Sequence, residues 1–475
     1  MRLSDLSGID SEAVVTGFAI DHRNVTKGNV FGAFRGERFD GENFIPQAVA
    51  LGAVAVVARP EAMVEGAAHI ADAEPRRRFA QLAGKFYGPY PGVIVAVTGT
   101  NGKTSTVEMA RQMWRMAGHR SASIGTLGVT TADDQVKTGL TTPDIVTFLS
   151  NMAGLERMGI SHVAYEASSH GLDQFRSEGL PVRAAAFTNF SRDHLDYHPD
   201  MDSYFAAKMR LFDEVVAADG TAVVWTGEAR SGEVIVHARA RRLKLITVGP
   251  GAETIALTKQ VPTPLGQQLL LRHDNQDYKL TLPLIGAYQA NNVLTAAGLL
   301  LATGTDWDDT LAAMGRVSPV RGRLERAVIS RAGTPVYIDY AHTPDALEAA
   351  IAALRPHVAK DQGGKLIIVF GAGGDRDKGK RAPMGAAAAR LSDVAIVTDD
   401  NPRTEDPASI RREVMEGAVG ALEVGDRRAA IAEAIRLAGP GDIILVAGKG
   451  HETGQVIGDR VLPFDDALVA RECAA

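Results

Sequence analysis

The chain has 475 residues, 45% of them hydrophobic and 23% charged, with a formal net charge of −6. That is the make-up of a globular protein with a sizeable core, long enough for two to four domains at roughly 100–200 residues each. A mildly acidic balance with both signs interspersed argues against a nucleic-acid or anionic-membrane surface, but not against an anionic small substrate held by local cations.

The single cysteine, Cys473, lies close to the C-terminus, so no internal disulfide forms, which suits a reducing compartment. The opening MRLSDLSGIDSE has no basic stretch followed by an apolar run, and no apolar stretch is long enough for a bilayer. A cytoplasmic protein with no membrane insertion and no nucleic-acid partner is expected.

Residues 1–91 carry short β-type runs such as Val54–Val57 and end in the Pro/Gly-dense YGPYPG, which reads as a domain boundary. The apolar run Val93–Val97 follows, then TGTNGKT (Thr98–Thr104), then a helical pattern from Ser105 to Ala117. Strand, Gly-rich loop and helix open a βαβ unit. Glycines let backbone close around phosphate oxygens, and the helix N-terminus presents unpaired N–H groups to them. Lys103 would reach the terminal phosphates and the Thr104 hydroxyl would ligate Mg²⁺. The common spacing asks for glycine where Val97 stands, so the general pattern is incomplete. Such a loop alone fits a GTPase, a motor, a kinase or a ligase.

From here to about residue 317, strand-like runs (His162–Tyr165, Ala184–Phe187, Thr221–Val224) alternate with helical stretches, which predicts a parallel sheet covered by helices. Glu166 ends one run, at the strand edge where open α/β sheets bind ligands. After the next run, Asp193, His194, Asp196 and His198 cluster as a metal or phosphate site would. Lys208 lies on the amphipathic stretch YFAAKMRLF, where a lysine ordinarily snorkels to solvent. SPVRGRLE (Ser318–Glu325) marks a second boundary. Beyond it, Val336–Ile338, a helix over Pro344–Leu354, and strands Leu366–Phe370, Val394–Thr398 and Ile443–Ala447 suggest a second α/β domain. The stretch from about 228 to 280 is the least informative. No G-x-G-x-x-G follows a strand, which disfavours a dehydrogenase.

Ten segments stand in one order: TGTNGKT, TTPD, EASSH, DHLDYH, YFAAKMRLF, GRLE, DYAHTPDAL, GGDRDKGKR, DNPR and GKGHE. In this the chain resembles the Mur ligase family over nearly its whole length, most closely its MurE type. TGTNGKT is that family's own form of the phosphate loop. The resemblance implies an α/β protein of three domains: a small N-terminal UDP-binding α/β domain (1–91), a central P-loop parallel-sheet ATPase domain (92–317) and a C-terminal Rossmann-like α/β domain (318–475). It implies ATP and one or two Mg²⁺ as cofactors, and the small-molecule substrates UDP-MurNAc-L-Ala-D-Glu and meso-diaminopimelate. A monomer is expected.

By position, the resemblance gives Gly99, Thr100, Asn101, Gly102, Lys103, Thr104 and Ser105 to the ATP phosphates, Asn292 to the adenine, and Arg323 and Asp339 to the nucleotide from the C-terminal domain. It makes Glu166, His194, Thr104 and a carbamylated Lys208 the metal site; a carbamate is the oxygen ligand that hard Mg²⁺ prefers. His22, Thr141, Thr142, Ser168, Gln174 and Arg176 match positions around the UDP precursor. Arg376, Asp400, Asn401, Pro402, Arg403, Gly448 and Glu452 match the diaminopimelate site, with Arg403 suited to the distal carboxylate and Glu452 to the distal ammonium. His342 keeps an open role. Three positions depart from the family pattern: His22 replaces a serine, Gln289 an asparagine, and Trp225-Thr226 a common Asn-Asp pair.

The implied reaction is phosphorylation of the D-glutamyl carboxylate by ATP, then attack of the amino acid's amine on the acyl phosphate. No residue stands out as the base that deprotonates the amine. The rival readings are the same chemistry with L-lysine or a folylpolyglutamate synthase, against which DNPR and GKGHE argue by resemblance, and a P-loop ATPase without ligase activity, which would have no need for GGDRDKGKR or DNPR.

Overall fold

The computed structural model describes every residue except 37, 38, 137–140, 196, 264, 265, 360 and 362, so Asp196 lies outside the described residues. The described residues form two compact units, one of Met1–Ala256 with Asn292–Ala313 and one of Leu257–Asn291 with Met314–Ala475. Among them no helix is long and apolar enough to cross a membrane.

In the first unit, Gly17–Ala19, Asn29–Gly32, Ala55–Ala58 and Ala68–Ala71 pair in that order as a parallel sheet. Helix Pro75–Tyr87 starts on a proline, whose fixed φ and missing N–H suit the first turn. It buries Phe79, Ala80, Leu82 and Ala83 in a cluster that also holds Ile94 and Ala96.

The strand Val93–Thr98 lies inside the larger sheet, with Val182–Phe187 on one side and His162–Glu166 on the other, both parallel. Val216–Trp225 and Lys244–Gly249 continue it beyond Val182–Phe187. Ser121–Gly125 continues it beyond His162–Glu166, followed by two short antiparallel strands, Gly128–Thr130 and Gln135–Val136. The inner strands are nearly unbroken apolar runs because both their faces are covered. Register pairs Phe187 with Thr98 and Val97 with Glu166, so three strands release their chains at one edge. The phosphate loop, Glu166 and the segment from Thr188 onward all leave there.

The second unit holds a six-stranded sheet in the order Arg323–Ile329, Pro335–Asp339, Ile443–Ala447, Leu366–Phe370, Val394–Val397, Leu422–Glu423. Only the first pair is antiparallel. The C-terminal ends of its parallel strands lead into DYAH, GKGHE, GGDRD and DNPR. The expected helix Pro344–Leu354 is present, with Thr343 Oγ1 accepting from the Ala346 N–H at 3.3 Å.

Candidate active site

The phosphate loop is built on Gly99, whose φ of +146° excludes most side chains. A Cβ there would lie 1.9 Å from Thr188 Oγ1. Helix Lys103–Met116 follows from Gly102, with Thr104, Ser105 and Thr106 buried in its first turn. Asn292 is buried with its side-chain oxygen packed against Gly102.

The loop is held by residues that carried no motif. Asn189 Oδ1 accepts from the Asn101 N–H (2.8 Å) and its Nδ2 donates to the Asn101 carbonyl (3.1 Å). The Thr188 hydroxyl donates to the same carbonyl at 2.6 Å. Thr100 Oγ1 lies 3.2 Å from the Tyr204 hydroxyl and accepts from the Ser191 N–H. Thus the segment after Phe187 supports the phosphate loop as well as carrying His194.

Two lysines meet at one carbonyl. Lys103 Nζ donates to Gly99 O at 2.9 Å and to Thr100 O at 2.8 Å, and Lys208 Nζ donates to Gly99 O at 2.8 Å. Lys208 is 1% exposed and stands 4.3 Å above the Tyr204 ring. It does not snorkel, contrary to the ordinary reading of its helix. Burial pushes its ammonium well below the usual lysine range, the Lys103 charge adds to that, and Asp193 opposes it. Its ammonium form is therefore less favoured than that of a solvent-exposed lysine. Burial also holds the His194 ring down at about 4; the Lys103, His170 and Lys208 side chains push the same way, against Asp193. His194, at a φ of +54°, lies 4.9 Å ring to ring from His170 and 5.8 Å from Tyr204.

Glu166 ends its strand almost fully buried. Oε1 accepts from the Thr126 N–H at 2.7 Å and Oε2 from the Thr126 hydroxyl at 3.3 Å, while Thr104 Oγ1 stands 3.5 Å from that hydroxyl. Thr126, which the motifs did not reveal, therefore joins the loop threonine to the carboxylate. Among the described residues no three His, Cys, Asp or Glu side chains gather as a metal-ligand set. The Thr104 hydroxyl and Glu166 carboxylate are oxygen donors that suit Mg²⁺, and Lys208 joins them in kind only once its amine carries a carboxylate.

The expected precursor residues form one network, His22 excepted. Thr141 Oγ1 lies 3.1 Å from Thr126 Oγ1; Thr142 Oγ1 donates to the Glu166 carbonyl (2.9 Å) and lies 3.0 Å from Ser168 Oγ. Arg176 donates to Thr142 O (3.1 Å) and to Gln174 Oε1 (2.6 Å). Burial lowers the Arg176 pKa, a sign that its guanidinium is partly stripped of water. His22 instead stacks on Phe44, 4.4 Å apart and 2° from parallel.

In the second unit, Asp339 is buried and accepts from the Leu324 N–H (2.7 Å) and the Ala341 N–H (2.9 Å). Burial raises its carboxyl to about 6, with Arg323 opposing. Arg323 lies over the Tyr340 ring at 4.8 Å, and Gln289 reaches its carbonyl at 3.2 Å. That contact accounts for a glutamine at 289. Thr226 likewise has a local task, donating to Pro250 O at 2.8 Å. His342 Nδ1 lies 2.9 Å from the Tyr340 carbonyl.

DNPR and GGDRD are tied together. Arg403 donates to Gly374 O at 2.7 Å, Gly374 N–H to Asn401 O at 2.9 Å, and Thr404 Oγ1 to Asp375 Oδ1 at 2.7 Å. Arg403 has a φ of +53°, fixed by bonds from its N–H to Val456 O (3.0 Å) and from the Gly458 N–H to its carbonyl (2.7 Å). Gly448 has a φ of +114°, and a Cβ there would sit 2.4 Å from Asp400 Oδ2. Pro402 lies between Asn401 and Arg403 in this turn, and Arg376 is exposed. Asn401 Nδ2 donates to Glu452 Oε2 at 2.8 Å. Lys449, inside GKGHE and not singled out from the sequence, is fully buried beside both.

A phosphate loop with a buried lysine at its edge, and a strand-edge cluster of Arg403, Asn401 and Glu452 in a second α/β sheet, define a nucleotide-dependent ligase of the acid–amino-acid class. Residues 14–87 match the model for the Mur ligase family, catalytic domain; 97–300 the Mur ligase middle domain; and 322–450 the Mur ligase, glutamate ligase domain. The chain belongs to the Mur ligase family. It is 57% identical over 471 residues to the UDP-N-acetylmuramoyl-L-alanyl-D-glutamate–2,6-diaminopimelate ligase of Zymomonas mobilis subsp. mobilis, covering 98% of this chain and 96% of that one. It is 47% identical over 475 residues to the protein of the same name from Caulobacter vibrioides, covering 98% and 97%. A solved structure of a ligase of that name aligns with a TM-score of 0.75 at 30% identity, covering 100% of this chain and 98% of the other.

Proposed function

We propose that this protein is the ATP-dependent ligase that joins meso-diaminopimelate to UDP-N-acetylmuramoyl-L-alanyl-D-glutamate in peptidoglycan precursor synthesis. The observation that carries this reading is 57% and 47% identity, each spanning 98% of this chain, to enzymes named for that reaction. We take it to work as a cytoplasmic monomer, with domains at 1–91, 92–317 and 318–475; the three family matches support those boundaries.

The D-glutamyl carboxylate attacks the γ-phosphorus of ATP, giving an acyl phosphate and ADP. The diaminopimelate amine then attacks the activated carbonyl carbon. The carbon–oxygen bond to phosphate breaks, inorganic phosphate leaves with the electron pair, and the amine loses a proton as the amide forms. Lys103 sets positive charge beside the transferring phosphoryl group. Bound through Thr104, Glu166, His194 and a carbamylated Lys208, Mg²⁺ would supply further charge neutralisation there. Burial favours the neutral form of the Lys208 amine, and that form adds to CO₂, making an N–C bond and releasing one proton. Thr141, Thr142, Ser168, Gln174 and Arg176 orient the precursor, with His22 stacked on Phe44 near the uracil. Arg323, Asp339 and Asn292 hold the nucleotide. Arg403 takes the distal carboxylate of diaminopimelate as a charge-assisted pair, Glu452 its ammonium, with Arg376, Asp400, Asn401, Pro402 and Gly448 shaping the site.

The test is phosphate release from ATP with the UDP-dipeptide precursor and, separately, meso-diaminopimelate, L-lysine, L-ornithine or no amino acid. Release with diaminopimelate alone, and a tripeptide product by mass, is the expected result. Release with lysine would keep the ligase and discard the role of Arg403; acceptor-independent hydrolysis would leave only an ATPase.

A further inference from the structure

Lys449, at the second sheet's strand edge, has a side chain wholly withdrawn from water, at 0% exposure. An ammonium has three N–H donors and no acceptor. Here all three are used: Nζ donates to Gly454 O at 2.6 Å, to Glu452 Oε2 at 3.0 Å and to Asn401 Oδ1 at 3.1 Å. The acceptors come from three places, the GKGHE turn, the DNPR turn and the first residue of the hairpin Gly454–Pro463. The network closes on itself. Asn401 Oδ1 also accepts from the Val456 N–H (2.9 Å), and Asn401 Nδ2 donates to Glu452 Oε2 (2.8 Å).

The result is an asymmetric carboxylate. Oε2 of Glu452 is fixed by two donors, one of them charged. Oε1 accepts no hydrogen bond from the described residues, and the side chain is 31% exposed. A carboxylate so held points one oxygen outward with little rotational freedom to lose on binding. Burying a cation without partners would be prohibitive, so this lysine is stable only with its acceptors in place. Its position and theirs are mutually determined.

We propose that Lys449 is the positioning residue of the amino-acid site: it anchors Glu452 through Oε2 and locks Asn401 to the same point, so that Oε1 meets the ammonium of the incoming amino acid. Lys449 itself touches no substrate. The proposal rests on the reading of Glu452 and Asn401 as amino-acid-site residues.

The experiment compares full-length wild type, Lys449→Gln and Lys449→Met in steady-state kinetics with ATP, precursor and diaminopimelate varied in turn. The KM for diaminopimelate should rise in the order wild type, Gln, Met, reaching roughly 10- to 100-fold for the loss of a charge-assisted bond network. The KM for ATP should stay within about twofold, since the phosphate loop is untouched. An unchanged diaminopimelate KM in a folded variant overturns the proposal, as does an equal rise for ATP and diaminopimelate. Should Lys449→Met not accumulate as folded protein, Lys449→Gln against wild type decides by the same criterion. A wild type that ignores diaminopimelate would instead bring down the functional reading beneath it.

Discussion

Lys103 and Lys208 donate to the same acceptor, the carbonyl oxygen of Gly99, at 2.9 and 2.8 Å. Positive charge on Lys103 disfavours charge on the buried Lys208 beside it, and burial pushes the Lys208 ammonium the same way. Conversion of Lys208 to a carbamate replaces that repulsion with attraction. Lys208→Ala should lower phosphate release roughly 100-fold or more, as loss of a preorganised charge does. Acetate or formate should restore part of it, while methylamine should not. Equal effects of acid and amine would count against the carbamate.

Arg403 should govern one substrate only. Arg403→Ala removes a charge-assisted donor pair, so the diaminopimelate KM should climb roughly 10- to 100-fold. ATP affinity, read by calorimetry, should be unchanged. Parallel loss of both would show that the turn supports the fold rather than the amino acid.

His162 offers a stability test away from the site. Its ring packs against Trp114 and His119, at 5.2 and 4.1 Å, and burial with the His119 charge lowers its pKa from 6.5 to about 4. Between these values the unfolded chain binds the proton first, so stability rises with pH and is lost as pH falls from 6.5 towards 4. The contribution is about 2 kcal/mol between about pH 7.5 and pH 5. His162→Phe should narrow the gap in Tm between those two conditions. A gap of the same size in both proteins would exclude this group as the cause.

Arg427 and Asp466 form an ion pair with both side chains at 0% exposure, bonded at 2.8 and 2.7 Å, and Arg427 also donates to Ala447 O at 2.9 Å. Removing one partner leaves a charge uncompensated in the core. Arg427→Met should destabilise the fold by about 3–5 kcal/mol in denaturant unfolding, and Arg427→Met with Asp466→Leu should recover much of that. A double variant as unstable as the sum of its parts would refute the pairing argument.

What could be read in advance was local. The strand, TGTNGKT and helix are contiguous, and the helix over 344–354 declares itself through Thr343 and Pro344. The burial of Lys208 is not local. Its helix pattern reads as amphipathic, and only the family resemblance assigned the lysine a role. Thr126 and Asn189 were missed because their partners are distant in sequence, Asn189 being 88 residues from Asn101. Lys449 was missed because nothing in GKGHE says which of its polar groups faces inward. The obscure stretch after 228 did carry one usable signal. Asp274 and Asn275, both at positive φ, make the two-residue turn of the hairpin Gly266–His273 and Gln276–Leu282.

An arginine held at a φ of +53° occupies a backbone position where glycine or asparagine would be less strained. Either replacement at residue 403 would delete the guanidinium. Arg403→Gly would relax the backbone of this turn but lose the side-chain bond to Gly374 O. On the proposed reading, the strained turn at residue 403 is what selection of a far carboxylate costs in backbone freedom.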